Sequence, residues 1–187
     1  MLDEDFVRNL VKKDNEISEY LLSLYNIPVQ INAKTIIELG AGESTFALTA
    51  AANKTEGEFY SIDIGEGAVE RYSPGGLEVF KNEPRYHFIQ GDDRKVVKTW
   101  NKGIDFLFLD TTHIYSHTKQ ELEEWIPFVV GGGVIAMHDT AHQSGDGTGC
   151  RKALDEFLEK NPDNFTVVHL LDTKHLGMSI LVRLWVM

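Results

Sequence analysis

Apolar residues along this chain fall into short unbroken runs separated by stretches of helical spacing. The runs Thr35-Ile36-Ile37-Glu38-Leu39, Phe59-Tyr60-Ser61-Ile62, Tyr86-His87-Phe88-Ile89, Ile104-Asp105-Phe106-Leu107-Phe108-Leu109 and Val134-Ile135-Ala136-Met137 read as strands, the most continuous of them buried on both faces of a parallel sheet. Helices are predicted from about Ser44 to Asn53, Arg94 to Trp100, Ser116 to Phe128 and Cys150 to Lys160. In the third of these, Leu122, Trp125, Ile126 and Val129 share one face. The alternation predicts an α/β fold with helices on both faces of a mostly parallel sheet. Residues 3 to 25, with Phe6, Leu10, Ile17, Leu21 and Leu24 at helical spacing, read as one amphipathic helix ended by Asn26-Ile27-Pro28. Residues 65 to 84 are less regular, with a loop expected at Pro74-Gly75-Gly76, and Gly131-Gly132-Gly133 is expected to turn the chain into the fifth strand. The last two strands, Phe165 to Leu170 and Met178 to Trp185, are joined only by Leu171 to Gly177. That link is too short for a parallel crossover, so the sheet should end in an antiparallel hairpin. The expected organisation is one domain over 1–187, with a helical segment at 1–32 and a seven-stranded core at 33–187.

Composition narrows the function without naming it. At 187 residues and 42% hydrophobic, the chain suits one sizeable core. Its formal net charge of -11 argues against a nucleic-acid partner, because nothing but a basic face neutralises phosphate. Lys95, Lys98 and Lys102 are spaced for one helix face and read as solvated surface. No apolar run has the length of a membrane span. The acidic start Met1-Leu2-Asp3-Glu4-Asp5 lacks the order of a signal peptide. The single cysteine, Cys150, permits no intrachain disulfide and fits a reducing compartment; a cytoplasmic protein is expected.

The candidate chemistry sits where strands end, which is where open α/β sheets bind ligands. Strand four runs into Asp110, with His113 three residues on, and strand five runs into His138-Asp139. Two carboxylates and two imidazoles suit a divalent metal, a general base, or both. Each has a plainer reading: Asp110 as a helix cap, His113 as a loop-ordering hydrogen bond, His138 as a loop orienter. After strand one, Gly40-Ala41-Gly42 allows close backbone approach to a ligand. Asp63 ends the next strand at the spacing from which a carboxylate accepts ribose hydroxyls. Thr45 stands at the third glycine position of the dinucleotide fingerprint. Gly91-Asp92-Asp93 adds a third acidic strand end, able to take an adenine amine or to cap the helix before Arg94. Glu43 and Ser44 read as helix caps, Tyr115 and Trp125 as packing groups, and His142 as a loop histidine. Cys150 reads as structural.

Taken together, Glu38-Leu39-Gly40-Ala41-Gly42, Asp63, Gly91-Asp92 and the closing hairpin resemble a class I methyltransferase that uses S-adenosylmethionine, with a Rossmann-like sheet. The stretch Leu109-Asp110-Thr111-Thr112-His113-Ile114-Tyr115, followed by Glu121-Leu122-Glu123, Gly131-Gly132-Gly133-Val134 and His138-Asp139, is similar to the cephalosporin-hydroxylase-like and macrolide-sugar O-methyltransferase group. Thr111 replaces a glycine of that group's pattern, and His138 stands where several metal-dependent relatives carry Glu or Asp. The resemblance implies that Gly40, Ala41 and Gly42 line the methionine end of the cofactor over Glu38. It implies that Asp63 and Ile64 hold the ribose region and that Asp92 and Asp93 hold the adenine region. Asp110 would belong to both halves of the site, forming a divalent-metal set with His138 and Asp139, magnesium being the usual ion. His113 would be the general base. The implied reaction is O-methylation of a small hydroxylated acceptor, a sugar among the candidates, with no nucleic-acid or membrane partner. The N-terminal helix could cover the pocket or join a homo-oligomer. A nicotinamide-dependent oxidoreductase and a non-catalytic cofactor-binding module are the alternatives.

Overall fold

The chain was analysed as a computed structural model that describes residues 1–13, 17–65, 76–141, 149–170 and 176–185. The strands are β1 (Thr35–Leu39), β2 (Glu58–Asp63), β3 (Tyr86–Gln90), β4 (Ile104–Leu109), β5 (Val129–His138), β6 (Phe165–Leu170) and β7 (Met178–Arg183). They form one sheet in the order β3-β2-β1-β4-β5-β7-β6. The first five are parallel, and β7 runs antiparallel to both β5 and β6, as the short final connection requires. Strand order reverses between β1 and β4, which makes their carboxyl ends the switch-point crevice. Leu39 and Leu109 are paired there, so Gly40 and Asp110 leave the sheet side by side.

The helices are α1 (Glu4–Leu10), α2 (Leu21–Gln30), α3 (Ser44–Thr55), α4 (Gly76–Phe80), α5 (Asp93–Val96), α6 (Tyr115–Trp125) and α7 (Gly149–Lys160). One core cluster joins Val7, Leu10, Leu21 and Leu24 of the N-terminal helices to Phe46 and Leu48 of α3 and to Ile36, Phe106 and Phe108 of the sheet. A second, on the opposite face, joins Leu122 and Trp125 of α6 and Leu154 of α7 to Ile37, Leu107 and Ile135. Alternate residues of β1 and β4 therefore serve opposite clusters, which is why these strands read as continuous apolar runs.

Several local expectations need correction. Residues 3–25 are not one helix: α1 ends at Leu10, short 3₁₀ turns occupy Val11–Lys13 and Ser18–Tyr20, and α2 begins at Leu21. The polar run Lys12-Lys13-Asp14-Asn15 offers no apolar face to hold a continuous helix on the core. Pro28 does not end α2 but lies buried inside its last turn. Pro28 has no amide to offer the carbonyl four residues before it, and the helix end is closed beyond it by Ile31 N and Ala33 N, which donate to Ile27 O and Pro28 O. Gly131-Gly132-Gly133 is part of β5 rather than a turn before it. The register to β4 shifts there, and a Cβ on Gly131 or Gly132 would crowd the Trp185 ring. Lys102 lies beyond the helical turns, its Nζ 4.6 Å from the Tyr60 ring centroid, while Lys98 pairs with Glu124 at 2.5 Å. Gly76 opens α4; Pro74, Gly75, His142 and His175 fall outside the described residues. Among those residues no helix is long and apolar enough to cross a membrane.

Candidate active site

The β1–α3 turn is fastened from beneath by a buried carboxylate. Glu38, on the α3 face of β1, is fully enclosed. It accepts hydrogen bonds from Ser44 Oγ at 2.5 Å, Thr45 Oγ1 at 2.7 Å and Ser61 Oγ at 2.7 Å. Burial pushes its pKa up to about 7, against the pull of those hydroxyls and helped by the charge of Asp110. Thr45 Oγ1 also accepts from Gly42 N at 3.0 Å, so the residue replacing the third fingerprint glycine ties the turn to Glu38. Gly40 has φ +90°, and a Cβ on it would overlap the Asp110 carbonyl; only glycine fits there. Asp63 completes the frame: Oδ2 accepts from Ala41 N at 2.9 Å and Oδ1 from Gly65 N at 2.9 Å.

Above this turn lies a cavity of about 680 Å³, within the range for a small-molecule or cofactor site. Gly40, Ala41, Gly42, Asp63, Ile64, Gly91 and Asp93 line it on one side, and Asp110, Thr111, Thr112, His113, His138 and Asp139 on the other. Ile64 is 79% exposed at its rim. Glu38 supports the wall without reaching the cavity. Asp92 also stays off the wall: it caps α5 and holds the Arg94 guanidinium through Nε at 2.9 Å and Nη2 at 2.8 Å. That pairing, foremost its hydrogen bonds, holds the Asp92 carboxyl down at about 2.

Asp110, His113, His138 and Asp139 converge. His113 Nε2 lies 3.2 Å from Asp110 Oδ1 and 2.8 Å from Asp139 Oδ2. His138 Nδ1 lies 3.6 Å from the first oxygen and 3.1 Å from the second. Hydrogen bonds to Asp110 and then Asp139 raise His113 to about 10. Burial pulls His138 down, but the same two carboxylates outweigh it and raise this group also to about 10. Burial likewise opposes charge on Asp110 and Asp139, yet the two imidazoles hold both carboxyls below the usual range. His113 (φ 58°) and Asp139 (φ 59°) adopt the left-handed backbone, a conformation that non-glycine residues rarely hold without surrounding support. Behind Asp139, Ser179 Oγ donates to Thr140 Oγ1 at 2.8 Å, and Ala141 N donates to Leu176 O, so the β6–β7 hairpin braces this loop. By donor type and spacing the cluster fits a divalent cation: Asp110, His113 and Asp139 offer ligand atoms within 4.8 Å of one another. His138 sits behind them, 4% exposed, its ring edge-on to Tyr20 at 5.6 Å.

Some wall residues escaped the sequence reading. Ile17 lines the cavity from the N-terminal segment. Glu43, read as a cap, instead takes Lys13 Nζ at 2.6 Å. His117 and Glu121 meet Asp93; their i, i+4 spacing on a predicted helix, facing the Asp92-Asp93 strand end, was the available signal. Tyr115 and Trp125 pack as expected, and Cys150 is a buried thiol pushed up to about 12 by burial.

Comparison with known proteins agrees with this frame. A methyltransferase-domain family model matches residues 37–140. Among solved structures, the SAH-bound methyltransferase PaMTH1 of Podospora anserina superposes with a TM-score of 0.65 at 16% identity, over 96% of this chain and 94% of that one. An O-methyltransferase of Bacillus cereus in complex with SAH gives 0.70 at 15% identity, over 95% and 86%. TomG of Streptomyces achromogenes, an O-methyltransferase of tomaymycin synthesis in complex with SAM, gives 0.66 at 14% identity, over 90% and 81%. The glycine turn on its buried glutamate, the switch-point cavity and the family match over most of the sheet lead to one assignment. The chain belongs to the methyltransferase-domain family, as a class I S-adenosylmethionine-dependent methyltransferase.

Proposed function

We propose that this protein methylates a hydroxyl of a small acceptor, a sugar being one candidate, with a divalent cation assisting. The observation that carries the reading is the Asp110–His113–His138–Asp139 cluster, which shares one cavity with the glycine turn. The cofactor, when bound, supplies a methyl group on a sulfonium, ready for in-line displacement. Gly40, Ala41 and Gly42 allow its amino-acid end to lie against the backbone. Asp63, already fixed by two amides, retains lone pairs for ribose hydroxyls, and Ile64 offers an apolar cover at the rim. A hydroxyl acceptor is a weak nucleophile until its proton is eased away. A cation held by the Asp110 and Asp139 carboxylates would supply charge that lowers the hydroxyl pKa. His113 in its neutral form takes the proton, and the two carboxylates orient its ring. Much of the remaining acceleration comes from positioning.

The test is transfer of label from methyl-labelled S-adenosylmethionine to a panel of sugars, catechols, amines and thiols, with and without chelator. Label should appear on hydroxyl acceptors, and magnesium should restore activity lost to chelator. Transfer confined to amines or thiols overturns the hydroxyl reading. His113→Ala should cut turnover about 10²–10⁴-fold while leaving the cofactor dissociation constant unchanged. In chelator, residual turnover should rise with pH between 7 and 9. His113 is raised to about 10, so its neutral, basic form gains population throughout that window.

A further inference from the structure

A second group of metal-type ligands lies apart from the Asp110–Asp139 cluster. Asp93 sits in the first turn of α5, and His117 and Glu121 lie one turn apart on α6. His117 Nε2 is 3.0 Å from Asp93 Oδ1 and 3.3 Å from Glu121 Oε1. Both carboxylates are nearly sealed, Asp93 at 6% and Glu121 at 1% exposure. Two buried acids thus share one imidazole, and even an imidazolium leaves one negative charge in excess. The neighbouring guanidinium of Arg94 is occupied by Asp92. The first cluster differs, since two imidazoles there match two carboxylates. The second oxygen of the same Asp93 carboxylate, Oδ2, is buried and finds no hydrogen-bond partner among the described residues. An unpaired buried carboxylate oxygen is costly and marks an interaction still to be made.

We propose that Asp93, His117 and Glu121 form a divalent-cation site of their own, suited to zinc or manganese. One imidazole and two carboxylates are donors these ions accept. The three ligand atoms lie within 4.8 Å of one another, and the 3.0 and 3.3 Å separations approximate the edges of a coordination polyhedron built on bonds of about 2.1 Å. Binding releases the proton of Nε2 to solvent; two carboxylates, a neutral imidazole and a dication then sum to zero charge. Thr111 Oγ1 donates to Glu121 Oε1 at 2.7 Å, orienting a ligand as outer-shell partners do. Asp93 and His117 also line the cavity, so an ion there is reached through it.

Zinc alone is the probe. Metal-stripped protein is titrated with Zn²⁺ against a chromophoric chelator, in the natural sequence, in His117→Gln and in the double variant Asp110→Asn/Asp139→Asn. The double variant should keep one tight Zn²⁺. His117→Gln should weaken one site by about 10²-fold, at least the upper end of what loss of an outer-shell partner causes. Unchanged zinc binding in His117→Gln, or loss of all zinc in the double variant, overturns the proposal. Should either variant fail to fold, a zinc-edge anomalous map of unsubstituted protein decides. A peak at His117 Nε2 supports the site, and its absence there overturns it. Methyl transfer enters neither readout, so the outcome is independent of the proposed reaction.

Discussion

Asp63 and Glu38 show how much of this site depends on single carboxylates. Asp63→Ala removes a charged acceptor and the clasp on Ala41 and Gly65; calorimetry with S-adenosylhomocysteine should show binding weaker by about 1.5–3 kcal/mol. Glu38 acts on stability as well. Its folded pKa is raised to about 7 from 4.5, so its stabilising contribution is complete below pH 4.5 and is lost as pH rises toward 7. Glu38→Gln should flatten the pH dependence of urea midpoints across that interval, a change on the order of 3 kcal/mol. An unaltered profile would mean that Glu38 titrates normally. Asp110, His113, His138 and Asp139 were legible in the sequence because each lies at or just past a strand end, and parallel strands deliver their carboxyl ends to one edge. The separate fates of Asp92 and Asp93 were not. Which neighbour caps a helix and which faces the cavity depends on the competing Arg94 guanidinium, and spacing does not encode that.

At the scale of elements, α6 serves both the core and the site. Trp125 and Leu122 are fully enclosed, while His117 and Glu121 of the same helix meet Asp93. Trp125→Ala should therefore cost about 3–5 kcal/mol; by scanning calorimetry that lowers the melting temperature by roughly 10 °C for a domain of this size. A drop of a degree or two would imply a much softer packing than the structure has. The strands were readable because burial on both faces leaves an unbroken apolar run. The triple glycine within β5 was not, since the reason for it is the distant Trp185 ring lying over Gly131 and Gly132. The break between α1 and α2 was masked by Phe6, Leu10, Ile17, Leu21 and Leu24, whose helical spacing runs straight across the polar Lys12–Lys13 turn.

For the molecule as a whole, the N-terminal helices are structural partners of the sheet layers. Val7, Leu10, Leu21 and Leu24 share one cluster with Phe46 and Leu48. Each buried side chain contributes roughly 1.5–3 kcal/mol, so together they rival the usual 5–15 kcal/mol stability of a domain. Deleting residues 1–32 should leave a chain that aggregates or lacks a cooperative transition by circular dichroism; a monomeric, cofactor-binding 33–187 fragment would contradict this.

The side-chain-free contact of Gly40 with Asp110 also has an evolutionary consequence. It works as a gauge block between the β1–α3 turn and the loop after β4, setting their spacing through main chain alone. Substitutions can then accumulate on the cavity wall, at Ile17 and Thr112, without disturbing that spacing. Specificity and alignment are thereby free to drift on separate schedules.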